Sequence, residues 1–162
     1  MKNSDPKNSY ILILHNIRSA QNVGALFRTA DAVGISKIYI TGYTPTPLDK
    51  FGRERGDVAK SALGAEQSVL WEHSKDIERV IGILKNEEYT VVAIEQSKNS
   101  IDYKKIKKTG RMAFILGNEV DGIENGVLKI CDKIAEIPMS GKKESLNVSV
   151  AGGVALFGIL DK

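Results

Sequence analysis

The sequence predicts an α/β fold with a parallel sheet and helices on both faces. Three observations predict it. Short apolar, β-rich runs alternate with helical patterns along the chain, the order that builds parallel sheets. Runs such as TVVAIEQ (90–96) and MAFILG (112–117) are continuously apolar, as strands buried on both faces are. The 162 residues are 42% hydrophobic and 27% charged, enough for one sizeable core without a metal or a disulfide.

The elements follow in order. YILILHN (10–16) reads as a buried strand that His15 ends. Residues 19–33 read as a helix, with Gly34 placed to stop it in a left-handed cap. KIYIT (37–41) is the second strand. GYTPTPLDKFGRERGD (42–57) is a long loop rich in Gly, Pro and charge, and loops of that length usually serve function or move. VAKSALGAE (58–66) is a short helix or turn, and SVLWEH (68–73) a short strand. DIERVIGILKNEE (76–88) sets Ile77, Val80, Ile81 and Leu84 on one helical face. Between the strands TVVAIEQ and MAFILG lies KNSIDYKKIKKTG (98–110), a basic turn region read as a solvated loop or, alternatively, a contact for a nucleic-acid backbone. IENGVLKICD (123–132) is a short helix and KIAEIPM (133–139) a strand. LNVSVAGGVALFGIL (146–160) is a helix apolar nearly all round, which needs cover on every side. In a small domain a second subunit supplies that cover, and Gly152 and Gly153 would let its backbone approach. A homodimer is therefore expected.

Bulk properties narrow the function classes. The net charge of +3 suits a polyanionic partner without identifying one. A single cysteine, Cys131, excludes an internal disulfide, fits a reducing compartment and is expected to be buried and inert. The start, MKNSDPKNSY, has no apolar signal core, and no apolar run reaches membrane-spanning length, so a cytoplasmic location is expected. No phosphate-loop, dinucleotide or nucleophile-elbow motif occurs. His15 and His73 are not spaced as metal ligands, and no metal is expected. His73 reads as a surface residue.

Three polar clusters remain: HNIRSAQNVGALFR (15–28), LGNEVDG (116–122) and IPMSGKKESLNVSV (137–150), each following a strand. Ligands of open α/β sheets bind beyond the carboxyl ends of strands, so a parallel sheet would bring the three together.

These segments resemble the motifs of the SpoU (TrmH-like) branch of the SPOUT RNA methyltransferases. NVGALFRTADAVG (22–34) matches Asn-x-Gly-x-x-x-Arg-[Thr/Asn], and FILGNEVDGI (114–123) matches Gly-x-Glu-x-x-Gly. IPMSGKKESLNVSVAGGVALF (137–157) matches Ile-Pro-Met-x-Gly-x-x-x-Ser-Leu-Asn-Val-Ser. The matches are ungapped and in order, and the resemblance spans about residues 9–160. It implies a SPOUT fold whose C-terminal segment is threaded into a trefoil knot, a homodimer, and transfer of a methyl group from S-adenosylmethionine to a ribose 2′-hydroxyl of tRNA or rRNA. The expected organisation is a polar tail over residues 1–8 and one methyltransferase domain over 9–162, without the added RNA-binding domain of many members.

The resemblance also implies site residues. Arg28 matches the catalytic arginine and Asn22 its companion. Six helical positions set them about 240° apart, so Asn22 is expected at the helix start as a cap and Arg28 in the first or second turn. A guanidinium is effectively never deprotonated, so Arg28 is read as stabilising a developing alkoxide and holding a phosphate. Glu119 is expected to orient Arg28 or the third-motif backbone. Ser145 and Asn147 complete the catalytic set, with Ser145 also at the expected N-cap of the last helix. Gly117, Ile137 and Leu146, with Ile94 less directly, are carried over as the S-adenosylmethionine site, Gly117 for close approach of backbone to ligand. Arg18, Arg53, Arg55, Lys60 and Lys142, with Lys50 and Lys143 beside them, are the RNA-binding candidates. The alternative is a non-catalytic RNA-binding SPOUT relative, against which the intact catalytic set argues.

Overall fold

Strand β1 (Ser9–His15) is buried along its whole length and divides the molecule into two layers. Alternate side chains leave opposite faces of a strand. Tyr10, Leu12 and Leu14 join one apolar cluster, and Ile11 and Ile13 join the other. The computed structural model describes residues 8–162, so the expected tail lies almost wholly outside the described residues.

Six further strands extend β1 on both sides: β2 (Lys37–Thr41), β3 (Leu70–Ser74), β4 (Thr90–Ile94), β5 (Ile101–Asp102), β6 (Arg111–Leu116) and β7 (Lys133–Glu136). Their spatial order is β3-β2-β1-β6-β4-β7-β5, and each neighbouring pair runs parallel. Helices α1 (Ala20–Val33), α2 (Gly56–Ala62), α3 (Ala65–Ser68) and α6 (Val148–Leu160) cover one face. Their contribution includes Leu26, Phe27, Val58, Ala65 and Leu156. Helices α4 (Ile77–Asn86) and α5 (Asn125–Ile130) cover the other through Val80, Ile81, Leu84, Val127 and Leu128. The four predicted residues of α4 are all buried, and Asp76 caps it by accepting from the Arg79 N–H.

The structure refines several boundaries. The segment 58–66 divides into α2 and α3 because Leu63 (φ 53°) and Gly64 (φ 94°) are both left-handed, which no helix continues through. The basic stretch 98–110 contains the two-residue edge strand β5 and a 3-10 turn at Tyr103–Lys105. A strand that short has no period to read. Cys131 is half-buried rather than fully buried; its thiol donates toward the Val127 carbonyl, and burial pushes its pKa up to about 11, which disfavours the reactive thiolate.

Helix α6 is not covered all round within one chain. Val148, Gly152, Ala155, Leu156, Ile159 and Leu160 face inward, whereas Val150 is 50% and Phe157 39% exposed. Gly152 serves this chain's own packing, because a Cβ there would lie 2.6 Å from Leu26 and 2.8 Å from Leu116. Only Gly153 of the pair opens outward.

Gly24 is where α1 and α2 meet. A Cβ there would stand 2.3 Å from the Val58 carbonyl oxygen and 2.9 Å from the Ala62 nitrogen, both backbone atoms. Gly24→Ala therefore forces the helices apart. Overpacking of this kind costs about 1–3 kcal/mol. Thermal unfolding should show a lowered Tm, and an unchanged Tm would mean the α1–α2 contact relaxes freely.

Candidate functional site

The carboxyl ends of β6, β4 and β7 lie side by side and open onto a cleft of about 310 Å³. Ile94 and Glu95 enter it from β4, residues 116–122 from β6, and Glu136, Ile137 and Met139 from β7. Glu144, Ser145, Leu146, Val148 and Ala151 close it from the segment leading into α6. Ile94, Gly117, Ile137 and Leu146, the four residues carried over for the cofactor, all line this cleft.

The walls are held by short-range hydrogen bonds. Glu95 accepts from the Gln96 and Ile123 N–H groups at 2.8 and 3.0 Å, tying β4 to the 116–122 turn. The Gln96 amide donates to the Glu144 carbonyl at 2.6 Å, tying β4 to the 137–147 segment. Asn118 Oδ1 accepts from the Val120 and Asp121 N–H groups, and its amide donates to the Asn16 carbonyl and the Tyr43 hydroxyl. Gly117 is required by its own turn: a Cβ would lie 2.8 Å from the Gly122 carbonyl. Gly117 thus has a packing role in its own turn beside its place on the cleft wall.

Glu119 joins the three polar segments. Its carboxylate accepts from the Arg18 and Ser19 N–H groups at 2.9 and 3.0 Å and from the Asn22 amide at 3.1 Å. Asn22 Oδ1 in turn accepts from the Asn147 amide at 3.3 Å. So Glu119 orders the start of α1 and, through Asn22, reaches Asn147 in the third motif; among the described residues it forms no hydrogen bond or ion pair with Arg28, the other partner expected for it. Partial desolvation pushes the Glu119 carboxyl upward, but the Arg18 and Ser19 N–H groups and the Asn22 amide outweigh it and hold its pKa below the usual glutamate range. A depressed folded pKa stabilises the protein above the unfolded value, about 4.3, and loses that contribution as pH falls through the folded pKa. The Tm difference between wild type and Glu119→Ala should be constant near neutrality and shrink below about pH 4. A difference that persists unchanged into acid would show that the charge contributes nothing.

Two capping expectations are corrected. Ser19, not Asn22, caps α1 by accepting from the Asn22 N–H, which leaves the Asn22 side chain free for Glu119. Asn147, not Ser145, caps α6 by accepting from the Ser149 N–H at 2.9 Å. Each cap lies directly outside the first helical turn, and the sequence offers two polar residues near each start. Gly34 does cap α1, at φ 80°. Ser145 is exposed on the cleft wall.

Arg28 lies in the third turn of α1, beyond the expected first or second, because α1 begins at Ala20. Its side chain is exposed and lines neither the cleft nor the shallower hollow formed by Arg18, Ser19, Asn22, Glu119 and Val120. Among the RNA-binding candidates, Arg18 lines that hollow, and Lys60 and Lys142 are exposed. Arg53 and Arg55 are already ion-paired, with Asp49 at 2.9 Å and Asp57 at 2.6 Å.

The cleft has one feature that sequence reasoning missed. Glu95, Glu119, Asp121, Glu136 and Glu144 line it, and among the described residues no lysine or arginine does. Glu95 and Glu136 stand at or just past the ends of strands, the position where a parallel sheet gathers ligand-facing groups.

The family model described as the SpoU rRNA Methylase family matches residues 9–157. The chain belongs to the SpoU rRNA methylase family. Within it, the chain is 32% identical over 148 residues to the 23S rRNA (guanosine-2′-O-)-methyltransferase RlmB of Escherichia coli, covering 91% of this chain and 58% of that protein. The chain thus spans somewhat over half the length of these relatives. Two solved structures superpose closely. The A. aeolicus TrmH/SpoU tRNA modifying enzyme gives a TM-score of 0.82 at 28% identity, covering 95% of this chain and 75% of that one. An AdoMet-bound rRNA methyltransferase from Sinorhizobium meliloti gives 0.79 at 26% identity, covering 93% and 55%. The parallel α/β fold expected for a SPOUT protein is thus confirmed.

Proposed function

We infer that this SpoU protein transfers a methyl group from S-adenosylmethionine to a ribose 2′-hydroxyl of tRNA or rRNA. The observation that carries the reading is the cleft, where the second and third motif segments and the end of β4 meet around a wall of carboxylates, with no lysine or arginine among the described residues that line it. A phosphate-bearing cofactor would be repelled there. A ligand with a cationic sulfur and an ammonium group is attracted, and Ile94, Ile137 and Leu146 supply apolar surface for its adenosyl part. Bound S-adenosylmethionine supplies an electrophilic methyl group on a positively charged sulfur.

The chain's own residues supply orientation and charge. Glu119 and Asn22 fix the start of α1 against the cleft wall, and Asn147 fixes the start of α6. Arg28 stabilises the oxygen that becomes anionic as the hydroxyl loses its proton, and it holds the adjoining phosphate. The proton passes to phosphate or water, since a guanidinium does not accept it.

Arg28 lies off the cleft within one chain, and the apolar stripe of Val150, Gly153 and Phe157 on α6 lies open. We place the complete site at the junction of two copies, which cover that stripe and bring Arg28 of one to the cleft of the other. The working unit is then a homodimer of one domain per chain, with the knotted threading of its family, acting in the cytoplasm. Among the described residues no helix is long and apolar enough to cross a membrane.

The separation of Arg28 from the cleft is also the observation that favours a non-catalytic RNA-binding relative. Calorimetry tests the reading. The protein should bind S-adenosylmethionine and reject ATP. Binding of ATP without S-adenosylmethionine would contradict it.

A further inference from the structure

The loop between β2 and α2 attracted attention in the sequence for its cations, yet the structure shifts the weight to a ring. Asp49, Glu54 and Asp57 balance Lys50, Arg53 and Arg55 in number, and both arginines are ion-paired inside the loop. What the loop presents outward is Phe51, 68% exposed, with Leu48 and Tyr43 also open along the same segment.

Phe51 is held out by design of the local backbone. Leu48 and Glu54 form an antiparallel bridge across the loop. Asp49 accepts from the Phe51 N–H at 2.8 Å and the Arg53 N–H at 3.0 Å, and Gly52 turns the chain at φ 74°. The ring therefore cannot fold back into the core without breaking the bridge and these bonds. Exposing a phenyl ring to water is unfavourable, and a partner that covers this ring recovers that free energy. Lys50 Nζ lies 5.0 Å and the Arg53 guanidinium 4.9 Å from the ring centre. Lys50 has no ion pair among the described residues, and Lys60 is exposed on the adjoining α2. Both cations lie over the ring, so a flat π-system carried on a polyanion would take the place of one of them on the ring while its phosphates draw the displaced cation.

The loop is also tied to the cleft. Tyr43, at its start, takes a hydrogen bond from the Asn118 amide at 2.9 Å, and its own N–H donates to Asn16 at 3.2 Å. Asn118 lines the cleft.

We propose that Phe51 is a stacking platform for an unpaired nucleobase of the RNA substrate, with Lys50 and Lys60 on the flanking phosphates. This rests on the RNA methyltransferase reading and sharpens it: the substrate carries an unpaired base where it meets this loop, because bases inside a duplex offer no free face.

The test uses the whole chain and a fluorescently labelled short oligoadenylate, alone or annealed to its complement, followed by anisotropy. Wild type should prefer the single strand. Phe51→Ala should weaken single-strand binding about tenfold or more, the range seen when a stacking aromatic is removed, while Phe51→Trp restores it. Duplex binding and S-adenosylmethionine binding should not change. Equal single-strand affinity in wild type and Phe51→Ala overturns the proposal. So does a Phe51→Ala protein whose sedimentation shows a changed number of subunits with RNA affinity intact, since the ring then serves a protein contact. If S-adenosylmethionine fails to bind wild type but Phe51→Ala still loses the single strand, the methyltransferase reading fails and the platform stands.

Discussion

Replacing Arg28 with alanine should reduce methyl transfer about a hundred- to a thousandfold, the effect of removing one group that stabilises a developing oxyanion. Stability and S-adenosylmethionine affinity should barely move. The reason is the position of Arg28: exposed in the third turn of α1, outside the cleft lining and with no hydrogen bond or ion pair among the described residues. Exposed substitutions of that kind alter stability by about 0.5 kcal/mol or less. Unfolding, cofactor titration and transfer therefore separate cleanly. Arg28→Lys should recover little, because an ammonium cannot reproduce the planar fork on a phosphate. A mixed dimer pairing an Arg28→Ala chain with a chain disabled in its cleft should regain transfer at one of its two sites, if Arg28 acts across the junction.

Glu119→Ala should have a different signature. Three donors, the Arg18 and Ser19 N–H groups and the Asn22 amide, lose their common acceptor. The start of α1 loses its tie to the cleft wall, and Asn147 keeps a partner that is itself no longer fixed. A misplacement of about 1 Å in a reacting geometry costs about a hundredfold. Transfer should fall by about that factor, and S-adenosylmethionine affinity should fall with it, because Glu119 lines the cleft. Glu119→Gln should lie between the two, keeping one acceptor oxygen but turning an amide donor toward the other donors. Loss of transfer with unchanged cofactor affinity would show that Glu119 acts on the RNA side alone.

Much of the fold was legible because its elements carry strong periods. The continuous apolar runs of β1, β4 and β6 and the four-residue stripe of α4 lie where the sequence puts them. β5 was not legible, since two residues carry no alternation, nor was the α2–α3 break, which depends on Leu63 taking a left-handed conformation against its preference. In the site, motif spacing pointed to Asn22, Glu119 and Asn147 and to Gly117, Ile137 and Leu146, with Ile94 taken from the end of an earlier strand, but not to their hydrogen-bond partners. Which residue caps a helix, Ser19 or Asn22, Ser145 or Asn147, depends on where the helix begins to within one turn. The carboxylate wall was hidden because Glu95, Glu119 and Glu136 are separated in sequence and meet only when three parallel strands end together. The pairing of Arg53 and Arg55 inside their own loop is likewise a matter of folded geometry.

The most direct measurement is methyl transfer from labelled S-adenosylmethionine to total tRNA and, separately, to rRNA, with the product digested to nucleosides and resolved by mass spectrometry. The account predicts a 2′-O-methylated nucleoside from one pool, absent with Arg28→Ala. A methyl group on a base, or no transfer to either pool by a protein that also fails to bind S-adenosylmethionine, would contradict it.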